Sequence, residues 1–395
     1  MRYFFVLGNN VALSLAELKA VLALRSPRLL AKDFLVAETD QIIDATRLIA
    51  KLGGTIKIGE IEKEGVLFDK EKIRESVLEL IEVARQEASP GKFNFGLSDY
   101  GSQSFDKKDL GLKIKKYFNE HQVSSRFVIS QEKTLSSVVV TQNKLLTRGI
   151  EIILAADGRQ ALIGRTLSVQ PFKELSARDY GRPARDSLSG MLPPKLALVM
   201  INLAQIQSAD SVILDPFCGS GTVLSEAALC GYKNLFASDI SPQAVSDTRA
   251  NVNWVKERYR LENLKLKLFV KKAEHLSQFI KTNYVEAIIT EPYLGPQRGR
   301  LEFAKVIFEL EKMYSAALHE FWQVLRPEGR VVMVWPLFYG ERAIRPNYQG
   351  FKIIKMIPSL LGGQEFLGEA AQRTTLVYGR PGQKVYREIV VLQKE

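Results

Sequence analysis

A glycine-containing turn between an apolar strand and a helix is the first feature of the sequence that could bind a ligand. The apolar residues 212–214 lead directly into the run Asp215-Pro216-Phe217-Cys218-Gly219-Ser220-Gly221-Thr222. Such a turn needs glycines and places backbone N–H groups beside a ligand at the strand end. Leu224 stands where the dinucleotide pattern has its third glycine, and the Asp215 carboxylate would repel a pyrophosphate. The run therefore favours a ligand with a cationic group, such as an amine or a sulfonium.

Polar residues also follow two later apolar segments of the same region. Asp239 comes about twenty residues after the glycines, where a carboxylate can accept hydrogen bonds from ribose hydroxyls; the alternative is that it caps the helix after Ser241. S-adenosylmethionine carries a ribose, an amine and a sulfonium. Thr290-Glu291-Pro292-Tyr293 follows the apolar residues 287–289, and it offers acceptors for an exocyclic amine and a ring that stacks on an extruded base. An ordinary turn is the alternative for this second run.

The elements that position these residues alternate between strands and helices at the spacing of a parallel sheet. This alternation predicts a doubly wound α/β domain in which both runs and Asp239 meet at the carboxyl edge of the strands. Three extended segments near the end predict an antiparallel edge. The predicted strands span residues 211–214, 235–238, 264–270, 287–289, 330–335, 351–357, 374–378 and 385–392, and the predicted helices span residues 222–230, 242–254 and 301–325.

The first 167 residues predict two smaller α+β units. In the first unit, Ser14 and Glu17 have the spacing of a capping box, which predicts a helix start at Ser14. In the second unit, Asp157-Gly158 predicts a hairpin, while residues 127–130 and 137–141 predict strands. Residues 107–119 predict a helix with one apolar and one basic face, which indicates a phosphate contact or, as the alternative, a solvated lysine surface. The basic face consists of Lys107, Lys108, Lys113, Lys115 and Lys116.

Charge and composition narrow the class of protein. The 395 residues exceed what one hydrophobic core usually supports, and 55 Lys and Arg outnumber 44 Asp and Glu. The surplus is concentrated, because residues 104–148 hold nine basic against four acidic residues and residues 255–272 hold seven against two. This clustering favours a polyanionic partner over a general solubility feature. The two cysteines and three histidines lack metal or disulfide spacing, and no signal peptide or spanning helix is recognised. We therefore expect no metal, no membrane and a cytoplasmic location.

Several motifs together resemble one family, the S-adenosylmethionine-dependent methyltransferases that carry a THUMP RNA-binding domain and modify guanosine N2 in tRNA. Residues 178–183 (RDYGRP), Arg185-Asp186 and residues 190–197 (GMLPPKLA) look like its linker and leading motif, and residues 215–222 look like its cofactor loop. Residues 3–18 resemble the eukaryotic and archaeal enzymes that act on guanosine 10. The resemblance implies a ferredoxin-like α+β domain at 1–61, a THUMP domain at 62–167, a linker at 168–190 and a Rossmann-like methyltransferase domain at 191–395. That last domain is expected to hold a mostly parallel seven-stranded sheet with an antiparallel C-terminal edge.

The resemblance also implies roles for individual residues. Glu291, Pro292 and Tyr293 would be catalytic, although the family signature is Asp-Pro-Pro-Tyr, so Thr290 stays open as the acceptor. The acid that the family has after its third strand is replaced by Lys272, with Glu274 as a substitute. RNA would contact Lys107, Lys108, Lys115 and Lys116. The implied contacts of S-adenosylmethionine are Asp215, Phe217, Gly219, Ser220, Gly221, Thr222, Asp239, Ile240, Ala273 and Glu274.

The function implied by the resemblance is methyl transfer from S-adenosylmethionine to the exocyclic N2 of a tRNA guanosine, guanosine 10 in particular. The guanine would stack on Tyr293, while Glu291 and the carbonyl near Pro292 would hold the amine. The implied partners are tRNA and, left open, a small activating protein subunit. Three alternatives stay open: an rRNA guanine-N2 methyltransferase, a DNA adenine-N6 methyltransferase, and a non-catalytic RNA-binding protein with a methyltransferase fold.

Overall fold

A computed structural model describes residues 1–88, 90–101, 105–185, 191–296, 302–339, 342–356 and 373–395. The contacts between Cα atoms divide the chain into two units. Asp186 and Gly190 of the leading motif, Leu301 at the predicted helix start and Ile357 at a predicted strand end lie outside the described residues. The first unit comprises Met1–Val11, Leu22–Ala50 and Gly54–Lys173, and the second comprises Ala12–Val21, Lys51–Gly53 and Glu174–Glu395.

The described residues form α-helices and β-strands along most of the chain. The helices are, in order, α1 (Val11–Val21), α2 (Ala45–Lys51), α3 (Lys70–Glu87), α4 (Lys107–Glu120), α5 (Ser137–Gln142), α6 (Phe172–Tyr180), α7 (Pro194–Leu203), α8 (Thr222–Cys230), α9 (Pro242–Arg258) and α10 (Phe303–Val324). The strands are β1 (Arg2–Leu7), β2 (Arg25–Ala31), β3 (Phe34–Glu38), β4 (Thr55–Leu67), β5 (Phe93–Gly101), β6 (Ser125–Val128), β7 (Gly149–Asp157), β8 (Gln160–Val169), β9 (Val212–Asp215), β10 (Asn234–Asp239), β11 (Lys265–Val270), β12 (Val285–Thr290), β13 (Leu325–Phe338), β14 (Arg342–Ala343), β15 (Phe351–Ile353), β16 (Leu376–Tyr378) and β17 (Val385–Lys394). A 3₁₀ helix spans Ala273–Gln278.

The first unit is built on one eight-stranded mixed sheet with the order β2-β3-β1-β4-β8-β7-β5-β6. Strand β5 runs parallel to β6 and β7, and the other neighbours are antiparallel. Strands β7 and β8 form the hairpin predicted at Asp157-Gly158. The predicted boundary between residues 61 and 62 falls inside β4, and both stretches contribute strands to this sheet. The division into a 1–61 and a 62–167 domain stays a prediction.

Two local predictions in the N-terminal half are wrong. Residues 137–141 form helix α5 instead of a strand, and the Ser136 hydroxyl accepts a hydrogen bond from the backbone N–H of Val139 at 3.3 Å. The three consecutive valines there have no period-2 alternation, so burial and capping decide the conformation. Helix α1 starts at Val11 rather than at Ser14. Glu17 does not cap this helix, because its carboxylate accepts hydrogen bonds from the backbone N–H of Gly53 and the side-chain amide of Asn202, each at 2.8 Å.

The second unit is a doubly wound α/β domain. Its sheet has the main order β11-β10-β9-β12-β13-β17-β15, and the short strands β14 and β16 pair with β13 and β17. Strands β9 to β13 are parallel to one another, whereas β17 is antiparallel to both β13 and β15. The predicted seven-strand count matches the main order, and the two short strands add to it. The strand order reverses between β9 and β12, which is where ligands bind in open α/β sheets.

The interdomain segment predicted at 168–190 contains regular structure. Residues Phe172–Tyr180 form helix α6, and its Arg178 side chain is only 7% exposed. Both guanidinium-to-carboxylate hydrogen bonds to Glu226 of α8 are short, at 2.7 and 3.0 Å. The sequence predicted only a linker here, whereas the structure has a helix that this buried ion pair with a distant partner stabilises.

Candidate functional site

The glycine loop after β9 has the backbone conformation that its sequence predicts. Gly219 has φ +48° and Gly221 has φ +77°, and Gly221 is the N-cap of α8. A Cβ at Gly221 would lie 3.0 Å from atoms of Thr248, so both conformation and space require glycine there. The Thr248 hydroxyl donates a hydrogen bond to the carbonyl of Gly219 at 2.9 Å. A Cβ at Gly219 would meet no atom within 4 Å, so the loop faces open space at that point.

Asp239 joins the glycine loop to the end of β10. Its Oδ2 accepts a hydrogen bond from the backbone N–H of Gly219 at 3.0 Å, and its Oδ1 accepts one from Ser241 at 2.9 Å. The N-cap of α9 is Ser241, whose own hydroxyl accepts a hydrogen bond from the backbone N–H of Ala244 at 3.3 Å. Each carboxylate oxygen has a second acceptor site. Asp239 therefore fixes the loop and can still accept hydrogen bonds from a ligand.

A buried hydrogen bond connects the ends of β9 and β12. The Thr290 hydroxyl donates to Oδ1 of Asp215 at 2.6 Å, and the backbone N–H of Phe217 donates to the same oxygen at 3.2 Å. Asp215 is 2% exposed and Thr290 is fully buried. Burial raises the pKa of the Asp215 carboxyl to about 7, because removing the charged form from water is unfavourable. A cationic group beside Asp215 would offset that cost.

The carboxylate of Glu291 forms a bidentate ion pair with Arg387. Arg387 Nε lies 2.5 Å from Oε2 and Nη2 lies 3.1 Å from Oε1, and the side chains are 18% and 14% exposed. Although burial disfavours the guanidinium, the hydrogen bond and charge of Glu291 leave the pKa of Arg387 raised. Arg387 lies on β17, 96 residues beyond Glu291, and nothing near either residue in the sequence indicates the pair. The carboxylate is thus held in one orientation at the end of β12.

The residues after Glu291 differ strongly in exposure. Pro292 is buried, whereas the side chain of Tyr293 is 60% exposed. The hydroxyl of Tyr314 on α10 donates hydrogen bonds to the carbonyls of Tyr293 at 3.2 Å and Val334 at 3.3 Å. Tyr314 was not predicted as a site residue, and it fixes the backbone that carries the exposed Tyr293 ring.

Two further side chains support the glycine loop from behind. Arg182 Nη1 donates a hydrogen bond to the hydroxyl of Thr222 at 2.6 Å. The amide of Asn251 donates to the carbonyls of Ser220 at 2.7 Å and Ala184 at 2.8 Å, and its oxygen accepts from the N–H of Ala184 at 2.9 Å. Arg182 belongs to the motif at residues 178–183 that the sequence analysis singled out, whereas no sequence signal indicated Asn251.

The remaining predicted cofactor residues follow β9, β10 and β11, and among the described residues their side chains form no hydrogen bond with the glycine loop. Phe217 is half-buried, and Ile240 is 64% exposed beside Asp239. Ala273 is buried and Glu274 half-buried at the start of the 3₁₀ helix after β11. Within the part of the chain that the structure describes, Glu274 forms no ion pair or hydrogen bond with the loop. Its role as a substitute acid stays a prediction.

The lysines predicted to contact RNA lie on α4 in the first unit. Lys108, Lys115 and Lys116 are exposed. Lys107 is half-buried, and its ammonium donates hydrogen bonds to the backbone carbonyls of Glu132 at 3.0 Å and of Lys133. Lys107 therefore connects α4 to a neighbouring loop. The other three lysines are accessible to solvent, and Lys116 also lies 3.9 Å from Glu120 in an exposed i,i+4 pair.

The described residues offer neither a membrane-spanning helix nor a metal-binding cluster. No described helix combines the length and apolar character needed to span a lipid bilayer. Among the same residues, no group of three or more His, Cys, Asp or Glu side chains could hold a metal ion. Cys218 and Cys230 are free, and burial raises the pKa of both thiols, to about 12 for Cys230. Neither thiol is prepared to act as a thiolate.

Comparison with known proteins gives three related findings. Residues 182–337 match the family described as RMKL-like, methyltransferase domain. The chain is 27% identical over 241 residues to a tRNA (guanine(10)-N2)-dimethyltransferase of Methanocaldococcus jannaschii, covering 58% of this chain and 63% of the relative. It is 29% identical over 230 residues to the protein of the same name from Pyrococcus abyssi, covering 56% and 62%. The chain thus spans less than two thirds of the length of these relatives.

The solved structures show the fold. The crystal structure of TrmN from Thermus thermophilus matches over the full length of both chains with a TM-score of 0.53 and 18% sequence identity. Residues 182–337 match a methyltransferase domain, and the described residues of this range have an α/β fold with the parallel strands β9 to β13 and a glycine loop.

Proposed function

We propose that this protein transfers a methyl group from S-adenosylmethionine to the exocyclic N2 of a guanosine in tRNA, guanosine 10 in particular. The observation that carries the proposal is the arrangement at the carboxyl edge of β9, β10 and β12. A glycine loop, two carboxylates and the run Glu291-Pro292-Tyr293 end there within one methyltransferase domain. The names of the archaeal relatives support guanosine N2 of tRNA as the target.

The residues at this edge fit S-adenosylmethionine. The open space at Gly219 leaves room for a ligand above the loop, and the exposed Ile240 offers an apolar surface for an adenine ring. Asp239 would accept hydrogen bonds from the ribose hydroxyls, and the buried carboxyl of Asp215 would favour the amine or sulfonium. When bound, the cofactor supplies a methyl group on an activated sulfonium.

The chain itself would bind and orient the target base. The exocyclic amine of guanine is a donor, so it needs an acceptor, and the carboxylate of Glu291 has a free lone pair on each oxygen beside the Arg387 contacts. The Tyr293 ring, 60% exposed, would stack on an extruded base. Thr290 is less suitable as the acceptor, because its hydroxyl already donates to Asp215 and is fully buried. Positioning then supplies much of the rate.

The first unit would bind the tRNA. We propose that residues 62–167 act as a THUMP-type RNA-binding domain after a ferredoxin-like domain at 1–61, with a linker at 168–190 and the methyltransferase domain at 191–395. The exposed Lys108, Lys115 and Lys116 support this role, because phosphate contacts need accessible cations. The proposal also includes a small activating protein subunit, and no residue of either unit is assigned to bind it. The cytoplasmic location stays a prediction from the sequence.

Cofactor titration and methyl transfer test the proposal together. We expect calorimetry to detect S-adenosylmethionine binding by the full chain, and the purified protein to transfer a labelled methyl group to unmodified tRNA. Ribosomal RNA and double-stranded DNA serve as parallel substrates. Label in rRNA or DNA alone would favour the corresponding alternative enzyme. Absence of cofactor binding by a folded protein that binds tRNA would favour the non-catalytic RNA-binding alternative.

A further inference from the structure

We propose that four lysines on and directly after the edge strand β11 of the methyltransferase domain contact the phosphate backbone of the tRNA next to the modified nucleotide. They are Lys265, Lys267, Lys271 and Lys272, and we call them the β11 basic strip. The inference rests on the proposed function, since it takes tRNA as the polyanion. It adds a contact surface in the second unit that is separate from the lysines of α4.

The strand β11 carries two exposed lysines, and two more exposed lysines follow it. It pairs along six residues with β10 and is the last strand in the sheet order, so its other edge has no neighbour among the described strands. Lys265 and Lys267 are exposed, whereas the alternate residues Leu266 and Leu268 are half-buried. Residues two apart on a strand lie on the same face, roughly 6.6 Å apart. Lys265 and Lys267 therefore lie on one face of β11, and Lys271 and Lys272 follow directly after its last residue.

The strip ends beside the candidate site. The backbone N–H of Lys271 donates a hydrogen bond to the carbonyl of Asp239 at 3.0 Å, so Lys271 and Lys272 lie at the carboxyl edge of the sheet. In the order β11-β10-β9-β12, three strand spacings separate this end from the end of β12, which is about 14 Å. That separation is within reach of the nucleotides that flank an extruded base.

The positive charge of the strip is not neutralised within the protein. In the ranges that the structure describes, no carboxylate lies within ion-pair distance of the four lysines, whereas the nearby Arg258 pairs with Glu174 at 3.5 Å. Lys267 instead lies 4.9 Å above the ring of Phe236, a cation–π contact that orients the ammonium and keeps its charge. Uncompensated cations in a row are what a phosphate backbone binds.

Edge protection is the competing explanation for these lysines. Charged residues on an edge strand prevent it from pairing with another sheet. This accounts for Lys265 and Lys267, but Lys271 and Lys272 lie beyond the six paired residues of β11 and are not needed for protection. The two explanations therefore differ most at the carboxyl end of the strip.

The test compares two double variants of the full chain that each remove two exposed lysines. Lys271→Ala with Lys272→Ala changes the strip, and Lys352→Ala with Lys355→Ala changes the edge strand at the opposite end of the sheet order. Binding of an unmodified tRNA transcript is measured across salt concentrations without cofactor. Each lost phosphate contact should lower the log–log salt slope by about 0.7, so the strip variant should lose about 1.4. Its affinity at physiological salt should fall about tenfold, and the control should match wild type.

The possible outcomes test the β11 basic strip independently of the proposed function. An unchanged slope in the strip variant, or an equal loss in the control, would overturn the strip. A second strip variant, Lys265→Ala with Lys267→Ala, tests edge protection. If this variant self-associates while both strip variants bind tRNA normally, these lysines protect the strand edge and do not bind tRNA. If the wild-type chain binds tRNA through the strip but methylates no RNA, the strip is supported and the proposed methyltransferase activity is wrong. If the chain methylates tRNA and the strip variant binds tRNA normally, the activity is supported and the strip is wrong.

Discussion

Replacing Arg387 with Met should lower the rate of methyl transfer by more than the loss of stability explains, because Arg387 orients the Glu291 carboxylate. The substitution removes a bidentate pair with contacts of 2.5 and 3.1 Å. Breaking a buried pair costs about 3–5 kcal/mol, and hydrogen bonds to charged groups contribute about 1.5–3 kcal/mol. Because both side chains keep partial exposure, at 18% and 14%, we expect the free energy of unfolding to fall by about 2–3 kcal/mol.

A neighbouring ion pair on the same strand provides the control. Arg373 forms a bidentate pair with Glu388, and the side chains are 16% and 0% exposed. Arg373→Met should therefore destabilise the protein at least as much. Since Glu388 is not at the end of β12, we expect kcat for tRNA methylation to fall about a hundredfold in Arg387→Met and little in Arg373→Met.

The assay measures denaturant unfolding and steady-state methylation for both variants, with cofactor affinity as a third readout. Arg387→Lys should recover part of kcat, because it restores the charge without the planar fork. Cofactor affinity should stay within twofold of wild type in all three variants, since the proposed role of the pair is to hold the target base and not the cofactor. Equal kcat in Arg387→Met and Arg373→Met, corrected for the folded fraction, would mean that Arg387 only stabilises the fold.

Three further predictions concern the cofactor loop and the RNA. Asp239→Ala should lower affinity for S-adenosylmethionine about ten- to a hundredfold by calorimetry, because a charge-assisted hydrogen bond contributes about 1.5–3 kcal/mol; unchanged affinity in a folded variant would limit Asp239 to fixing the loop. The pKa of Asp215 is raised from 3.8 to about 7, so the folded protein holds a proton that the unfolded chain releases between these pH values. Wild-type stability should therefore fall relative to Asp215→Asn as pH rises from 4 to 7, by at most about 4 kcal/mol in denaturant unfolding, and parallel pH profiles would refute the assignment. Replacing Lys108, Lys115 and Lys116 with Ala should weaken tRNA binding and lower its log–log salt slope by about 2, and an unchanged slope would contradict the role of α4.

The parts of the fold that follow from local signals could be predicted from the sequence. A few neighbouring residues specify the conformation of the apolar strands that end at the carboxyl edge. The same holds for the glycines before α8 and for the serine before α9. Helix α8 spans Thr222–Cys230, as predicted. The glycine loop and the positions of Asp215, Asp239 and Glu291 at strand ends followed from the same signals.

Other features could not be predicted because distant residues determine them. Arg387 meets Glu291 across 96 residues, and Arg178 meets Glu226 across 48 residues, so neither pair leaves a local pattern. The second of these pairs stabilises α6 in a segment that was predicted as an interdomain linker. Helix α5 was missed because its valines have high strand propensity, and the Ser136 cap together with the burial of Ser137 and Val140 on one helix face overrides that preference.

The most direct test of the account is nucleoside mass spectrometry of an unmodified tRNA transcript after incubation with the protein and labelled S-adenosylmethionine. We predict label in N2-methylated guanosine, located at position 10 by fragment analysis, and no label when guanosine 10 is replaced by adenosine. Label in N6-methyladenosine, label at other positions only, or no label from a folded protein that binds the cofactor would contradict the account.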